Sequence, residues 1–208
     1  MSAFLGKIHY WLYNKILWHE GILEEILRFA AAKNIPVDEI KSSIYHKFGA
    51  PDLRSLEEVI DHANIHGWLQ SRIQSVEYRI ASVIVELTHN YDIKIEELMQ
   101  VYEANAKRAA ALVDASSATP KELFTHVFDF MLLGMPCDHV NEAVLDSEEG
   151  FSWRIAICLH KDYWDALGAD VDDYYQLQDA WIASFVHTAN PNYSFIHTDD
   201  GLRTIKRR

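Results

Sequence analysis

Apolar residues recur at three- and four-residue steps over residues 4–33, which is the spacing of one face of an α-helix. This helix must end before Pro36, because the residue that precedes a proline avoids the helical conformation. The same kind of spacing predicts further helices over residues 37–47, 55–91, 93–114, 120–133 and 170–189. Gly67 is a candidate break point in the helix over residues 55–91. The first two thirds of the chain are therefore expected to form a bundle of about five helices.

The last third of the sequence changes to short segments rich in strand-forming residues. Residues 138–146 and 151–158 flank the turn Ser147–Gly150, and residues 193–198 and 202–206 flank Asp199–Gly201. Each pair predicts a β-hairpin, which gives four antiparallel strands. We therefore expect a predominantly helical α+β fold, with a helical bundle over residues 1–135 and an α+β lobe over residues 136–208 in one compact unit. We identify no internal repeat and no low-complexity segment.

Composition excludes several classes of function. The chain of 208 residues has 19 basic and 31 acidic residues, a net charge of −12, and nucleic-acid binding needs clustered Lys and Arg instead. No apolar run approaches the ~18 residues of a membrane span. The first residues lack the pattern of a secretory signal, and two cysteines do not make a dense disulfide framework. These features predict a soluble, cytoplasmic protein with no nucleic-acid or membrane partner.

His62 and His66 are the strongest candidates for residues of a functional site. In a helix over residues 55–91 they would lie one turn apart on one face, where two imidazoles can share a metal ion. Zinc needs three or four ligands, and iron or manganese often adds carboxylates. On the first helix, His19 and Glu20 are the best additional donors, and His9 is a further candidate. We therefore predict a site for a divalent metal (zinc, iron or manganese) at His62, His66, His19 and Glu20, with aromatic walls from Trp11, Trp18 and Trp68.

A structural interpretation of the histidines remains open beside the metal site. His62 and His66 could be part-buried side chains that Asp61 and Gln70 orient, with no metal ion. The protein would then be a non-enzymatic ligand-binding protein, or an interaction protein whose aromatic residues form a homodimer face. In the leading hypothesis the bundle instead binds a metal ion or a small molecule, and an open metal position would allow hydrolytic chemistry.

The two cysteines provide a third hypothesis. Cys137-Asp138-His139 begins the first predicted hairpin, and Cys158-Leu159-His160 ends it, so the hairpin would bring both pairs together. This arrangement allows a Cys2His2 metal cluster, a disulfide bond or a thiolate nucleophile at Cys137. The alternative is that both cysteines pack as small apolar residues.

The end of the chain resembles a known family. Residues 180–185 read Ala-Trp-Ile-Ala-Ser-Phe, an Asn-Pro-Asn break follows at 190–192, and the final hairpin contains Phe195–Thr198 and Gly201-Leu202. Over roughly residues 176–205 this is similar to the L-2-amino-thiazoline-4-carboxylic acid hydrolase-like family. The resemblance implies a similar closing lobe and a small-molecule pocket. It assigns no catalytic residue.

Overall fold

The computed structural model describes residues 5–134 and 138–208. Within them, eight helices and a four-stranded antiparallel sheet confirm the predicted predominantly helical α+β fold. The helices are α1 (Lys7–Ala32), α2 (Val37–Phe48), α3 (Leu56–Val59), α4 (Ile65–Asn90), α5 (Ile95–Ala110), α6 (Pro120–Phe130), α7 (Lys161–Asp165) and α8 (Val171–Ala189). The strands are β1 (Asn141–Asp146), β2 (Gly150–Ile155), β3 (Tyr193–His197) and β4 (Arg203–Arg207).

The chain forms two compact units. The helical unit contains Met1–Lys94 and Tyr163–Ala169, and the sheet unit contains Ile95–Asp162 and Asp170–Arg208. Our sequence analysis placed α5 and α6 with the first helices and drew a boundary at residue 135. In the structure these two helices group with the sheet, because α5 packs along α8 and α6 packs on β2 and β4.

The helical unit is built on α1, α2 and α4. Both long helices, α1 and α4, bury an apolar stripe, and α4 also packs against α2. His9 contacts His66 near the start of the two long helices, and Glu20 pairs with Arg79 further along both. The N-terminal part of α1 thus contacts the N-terminal part of α4, and the later parts contact each other, so the two helices run parallel.

The helix predicted over residues 55–91, with a candidate break near Gly67, is broken between Val59 and Ile65. The chain leaves the helical conformation after α3 and re-enters it at α4, and short polar side chains explain the break. Asp61 Oδ1 accepts the N–H of Ala63 at 2.9 Å, and Asn64 Oδ1 caps α4 by accepting the N–H of Gly67 at 3.1 Å. Such side chains compete with the helical hydrogen bonds of the backbone.

The parallel helices α1 and α4 contain an internal repeat, which our sequence analysis missed. Residues 8–20 and 65–77 share the pattern Ile-His-x-Trp-Leu-x-x-(Lys or Arg)-Ile-x-x-x-Glu. The repeated residues have matching surroundings. In each copy the cation lies over the tryptophan four residues earlier, at 4.0 Å for Lys15 and Trp11 and at 5.8 Å for Arg72 and Trp68. The glutamates that end the two copies are both buried. The helical unit thus uses one helix pattern twice.

The sheet unit surrounds an aromatic core. Its strands lie in the order β1-β2-β4-β3, all antiparallel, and the two predicted hairpins are the pairs β1–β2 and β3–β4. Phe124 of α6 packs on Phe151 and Trp153 of β2 at centroid distances of 4.9 and 4.7 Å. α8 lies against β3 and carries the fully buried Trp181 and Phe185. These contacts join α6 and α8 to the sheet, and α5 packs along α8.

The turn between β3 and β4 is tied to β2 through Asp200. Thr198 Oγ1 and Arg154 Nη2 each donate to its carboxylate at 2.5 Å, and together they lower the pKa of Asp200 from 3.8 to about 2. Because the folded state holds the proton less tightly than the unfolded chain, this carboxylate stabilises the fold above pH ~4 and loses that effect as the pH falls toward 2.

We therefore expect Asp200→Asn to lower the urea midpoint by a small amount at pH 5 and by well under that amount at pH 2.5, where most of the effect of the carboxylate is lost. The measurement is urea denaturation of both proteins at the two pH values. A difference of the same size at both pH values would show that the Asp200 carboxylate does not stabilise the turn through its charge.

Candidate functional site

The structure gives Glu20, one of the four predicted metal ligands, a different partner. Glu20 is buried in α1 and forms a bidentate ion pair with the buried Arg79 of α4. Arg79 Nη1 donates to Glu20 Oε2 at 2.8 Å, and Nη2 donates to Oε1. Burial raises the pKa of Glu20, and the Arg79 guanidinium opposes that rise. The guanidinium engages both carboxylate oxygens, so this side chain fastens α1 to α4.

The three predicted histidines lie in different environments. His19 is buried in α1, and its Nδ1 lies 2.9 Å from the carbonyl oxygen of Lys15. His66 is exposed in the first turn of α4. His62 is exposed in the turn before α4, so it does not lie one helical turn from His66 on a shared face.

His9, the further candidate, is the residue that meets His66. Their Nε2 atoms are 3.2 Å apart, and the N–H of Gly6 donates to His9 Nδ1 at 3.0 Å. Because Nδ1 accepts this hydrogen bond, neutral His9 carries its own proton on Nε2. The Nε2–H of His9 therefore donates a hydrogen bond to His66 Nε2. A metal ligand would need a free lone pair at His9 Nε2 instead. The contact between the two repeats is therefore a hydrogen bond between histidines.

These placements do not assemble the predicted metal site. Within residues 5–134 and 138–208, no group of three or more His, Cys, Asp or Glu side chains is placed to hold a metal ion. The set of His62, His66, His19 and Glu20 thus remains a sequence-based prediction that the geometry does not support. Trp68, a predicted wall of that site, packs against Tyr13 at a centroid distance of 5.9 Å.

The cysteine hypotheses rest mainly on Cys137, which lies outside the described residues. Cys158 is an exposed free thiol, and Tyr175 donates its hydroxyl to Cys158 Sγ at 3.0 Å. Burial and this hydrogen bond raise the pKa of Tyr175, so its hydroxyl keeps its proton. His139 has a backbone φ of 50°, in the left-handed region, and does not belong to β1.

A groove in the helical unit is a candidate site. It encloses about 380 Å³ between α2 and the second half of α4, and we call it the α2–α4 groove. Its apolar surface comes from Ile40, Ile44, Phe48, Val85 and Leu167. Its polar groups come from Glu39, Ser43, Lys47, Ser82, Glu86 and Tyr91.

The local sequence explains how the groove forms. Ile40, Ile44 and Phe48 recur at four-residue steps, so they line the side of α2 that turns toward α4. The C-terminal end of α2 is fixed on α4 because Ser75 Oγ donates to the carbonyl oxygen of Phe48 at 2.5 Å. Phe48 also stacks on Tyr78 at 4.9 Å with nearly parallel rings. These contacts fix the C-terminal end of α2 against α4, where Phe48 also lines the groove.

Ser82 is the most informative polar residue of the α2–α4 groove. Its Oγ is buried, and no described residue forms a hydrogen bond with it. A buried hydroxyl without a partner costs on the order of 1–3 kcal/mol, and native structures keep few such groups. A ligand that reaches the wall of the groove would supply the missing partner.

Charged groups surround the mouth of the groove. Lys47 and Glu39 are exposed on α2, and Glu86 on α4 accepts a hydrogen bond from Asn90 at 2.9 Å. The lining therefore combines an apolar floor with one cation, two carboxylates and several hydroxyls. Our sequence analysis missed these residues, since each alone looks like part of a solvated helix face. The spacing of the three apolar residues of α2 was the available clue.

Comparison of the chain with models of protein families, with curated proteins and with solved structures finds no match. The resemblance of residues 176–205 to the thiazoline-carboxylate hydrolase-like family stays a prediction. In the described part of the chain, no helix is both long enough and apolar enough to cross a membrane.

Proposed function

We propose that this protein binds a small amphipathic organic molecule in the α2–α4 groove. The observation that carries the proposal is the buried Ser82 hydroxyl, which has no hydrogen-bond partner among the described residues and lies on the wall of a groove of about 380 Å³. Ligand pockets in proteins usually enclose ~300–1,000 Å³ and combine an apolar lining with a few polar groups. The groove has a volume in this range, and its lining combines five apolar residues with six polar ones.

The lining indicates the kind of molecule. An aliphatic or aromatic body would pack on Ile40, Ile44 and Val85, and a hydrogen-bonding group would reach Ser82. An anionic group would pair with Lys47 at the mouth, where the ammonium lies 4.9 Å from the centroid of the Phe48 ring. Among the described residues, no group of three metal-ligating side chains lines the groove. The proposal therefore concerns an organic molecule.

The test uses the fluorescent anion 1-anilinonaphthalene-8-sulfonate, which has an aromatic body and one sulfonate. We expect saturable binding to the wild-type protein and roughly tenfold weaker binding to Ser43→Trp, because the indole would fill the groove that Ser43 lines. Ser42→Trp is the matched control, since Ser42 is the exposed neighbour on α2 and does not line the groove.

The two variants separate the possible outcomes. A loss of affinity in Ser43→Trp alone supports binding in the groove. Equal affinity in both variants and in the wild-type protein would overturn the proposal, since the dye would then bind elsewhere. Thermal unfolding of both variants checks that each indole leaves the helical unit folded.

A further inference from the structure

The sheet unit contains a second polar cluster, where the hairpin β3–β4 meets α8. His197 and Arg203 are direct cross-strand partners in this hairpin, and both contact Asp179 of α8. His197 Nδ1 lies 2.6 Å from Asp179 Oδ2, and Arg203 Nε donates to Asp179 Oδ1 at 3.0 Å. One carboxylate thus binds an imidazole through one oxygen and a guanidinium through the other.

This contact fixes the state of the imidazole. An ionised carboxylate only accepts hydrogen bonds, so His197 carries a proton on Nδ1 and, when neutral, has a free lone pair on Nε2. The side chain of His197 is 33% exposed, whereas those of Asp179 and Arg203 are 18% and 5% exposed. Of the three, the imidazole has the most contact with solvent.

Arg203 holds the carboxylate in place. Its guanidinium is buried, lies 5.2 Å from the ring centroid of Tyr175, and donates to the oxygen of Asp179 that His197 does not use. Asp179 therefore cannot rotate away from the imidazole without breaking a charged hydrogen bond. A carboxylate that orients a base, and is itself held by another residue, is one part of the arrangement used in general-base catalysis.

We propose that His197 is the general base of a hydrolytic site for small acyl esters, with Asp179 and Arg203 as positioning residues. His197 Nε2 takes a proton from water as the water oxygen attacks the carbonyl carbon. The tetrahedral intermediate then collapses, its C–O bond to the alcohol breaks, and the alcohol leaves with the proton from Nε2. Water is the only co-reactant. This site is independent of the α2–α4 groove.

The first test is hydrolysis of 4-nitrophenyl acetate by the full-length chain. The key variant is His197→Asn, because an asparagine amide can still donate to Asp179 but has no basic nitrogen. We expect the rate to fall roughly tenfold or more, since general-base catalysis contributes ~10²–10⁴-fold. His187→Asn is the matched control, because His187 is an exposed histidine of α8, and we expect it to keep the wild-type rate.

Two further variants isolate the mechanism. Cys158→Ala should keep the wild-type rate, whereas a loss would mean that the thiol attacks the ester and that His197 is not the base. Asp179→Asn should lower kcat and leave KM nearly unchanged, because a neutral amide holds the imidazole less firmly than a carboxylate does and Asp179 does not touch the ester. The charged groups that face the ring among the described residues are Asp179 of α8 and Arg203 of β4.

The outcome is decisive in either direction. A folded His197→Asn protein with the wild-type rate would overturn the proposal and leave the cluster as a link between α8 and the hairpin. An equal loss in His187→Asn would also overturn it, because the ester would then react with histidines in general. Circular dichroism and thermal unfolding establish that each variant is folded.

Discussion

Replacing Arg79 with leucine is expected to destabilise the helical unit by about 3–5 kcal/mol, the usual cost of leaving one partner of a buried ion pair uncompensated. Glu20 and Arg79 have side-chain exposures of only 9% and 2%, so water cannot replace the guanidinium. Arg79 Nε also donates to the carbonyl oxygen of Ser75 at 3.2 Å, and this bond is lost as well. Urea denaturation measures the change in free energy of unfolding.

Two controls identify the buried charge as the cause. Arg54→Leu breaks the Arg54–Asp52 pair, in which the arginine side chain is 63% exposed, and should cost under about 1 kcal/mol. The double variant Glu20→Leu, Arg79→Leu should recover much of the stability, because it removes both buried charges together. A double variant as unstable as Arg79→Leu alone would contradict this explanation.

Replacing Trp181 with alanine is expected to destabilise the sheet unit by about 3–5 kcal/mol, the typical cost of truncating a buried tryptophan. Trp181 is fully buried in α8, stacks on Phe185 at 5.0 Å and contacts Phe130 at 6.1 Å. Its indole N–H donates to Asn105 Oδ1 of α5 at 2.8 Å, across the most extensive helix contact of this unit. Alanine removes both the packing and this hydrogen bond.

A smaller substitution separates the two contributions. Trp181→Phe keeps a large ring and loses the N–H donor, so we expect a cost nearer 1 kcal/mol from the hydrogen bond. Ile157→Ala serves as the surface control, because Ile157 is 49% exposed and such changes usually stay within about 0.5 kcal/mol. Amide hydrogen exchange should show faster opening of α5 and α8 in Trp181→Ala. Unchanged protection there would contradict the role of Trp181 as the centre of this core.

Local patterns in the sequence predicted most of the helices and strands. α1 has an uninterrupted apolar stripe and ends before Pro36, and the turn at Asp199–Gly201 marks the hairpin β3–β4. A break in the helix over residues 55–91 was considered only near Gly67, and its position before α4 was not predicted, because it depends on which backbone groups Asp61 and Asn64 bind. The short helix α7 was missed as well.

The site residues were harder to predict, since their roles depend on partners that are distant in the sequence. Glu20 looked like a metal ligand, and its actual partner Arg79 is 59 residues away. The α2–α4 groove arises from the way α2 lies on α4, and no single segment encodes it. The repeat over residues 8–20 and 65–77 was visible in the sequence. Only the contact between His9 and His66 shows that equivalent residues of the two copies meet.

The most direct test of the proposed function is a methyl NMR titration with 1-anilinonaphthalene-8-sulfonate. With labelled Ile, Leu and Val methyl groups, binding in the groove should shift the signals of Ile40, Ile44, Val85 and Leu167. The signals of Ile22 and Ile26, which are fully buried in α1, should stay in place. Saturable shifts confined to the groove methyls are the predicted result. Shifts that leave these four residues unchanged would contradict the assignment of the α2–α4 groove as a ligand site.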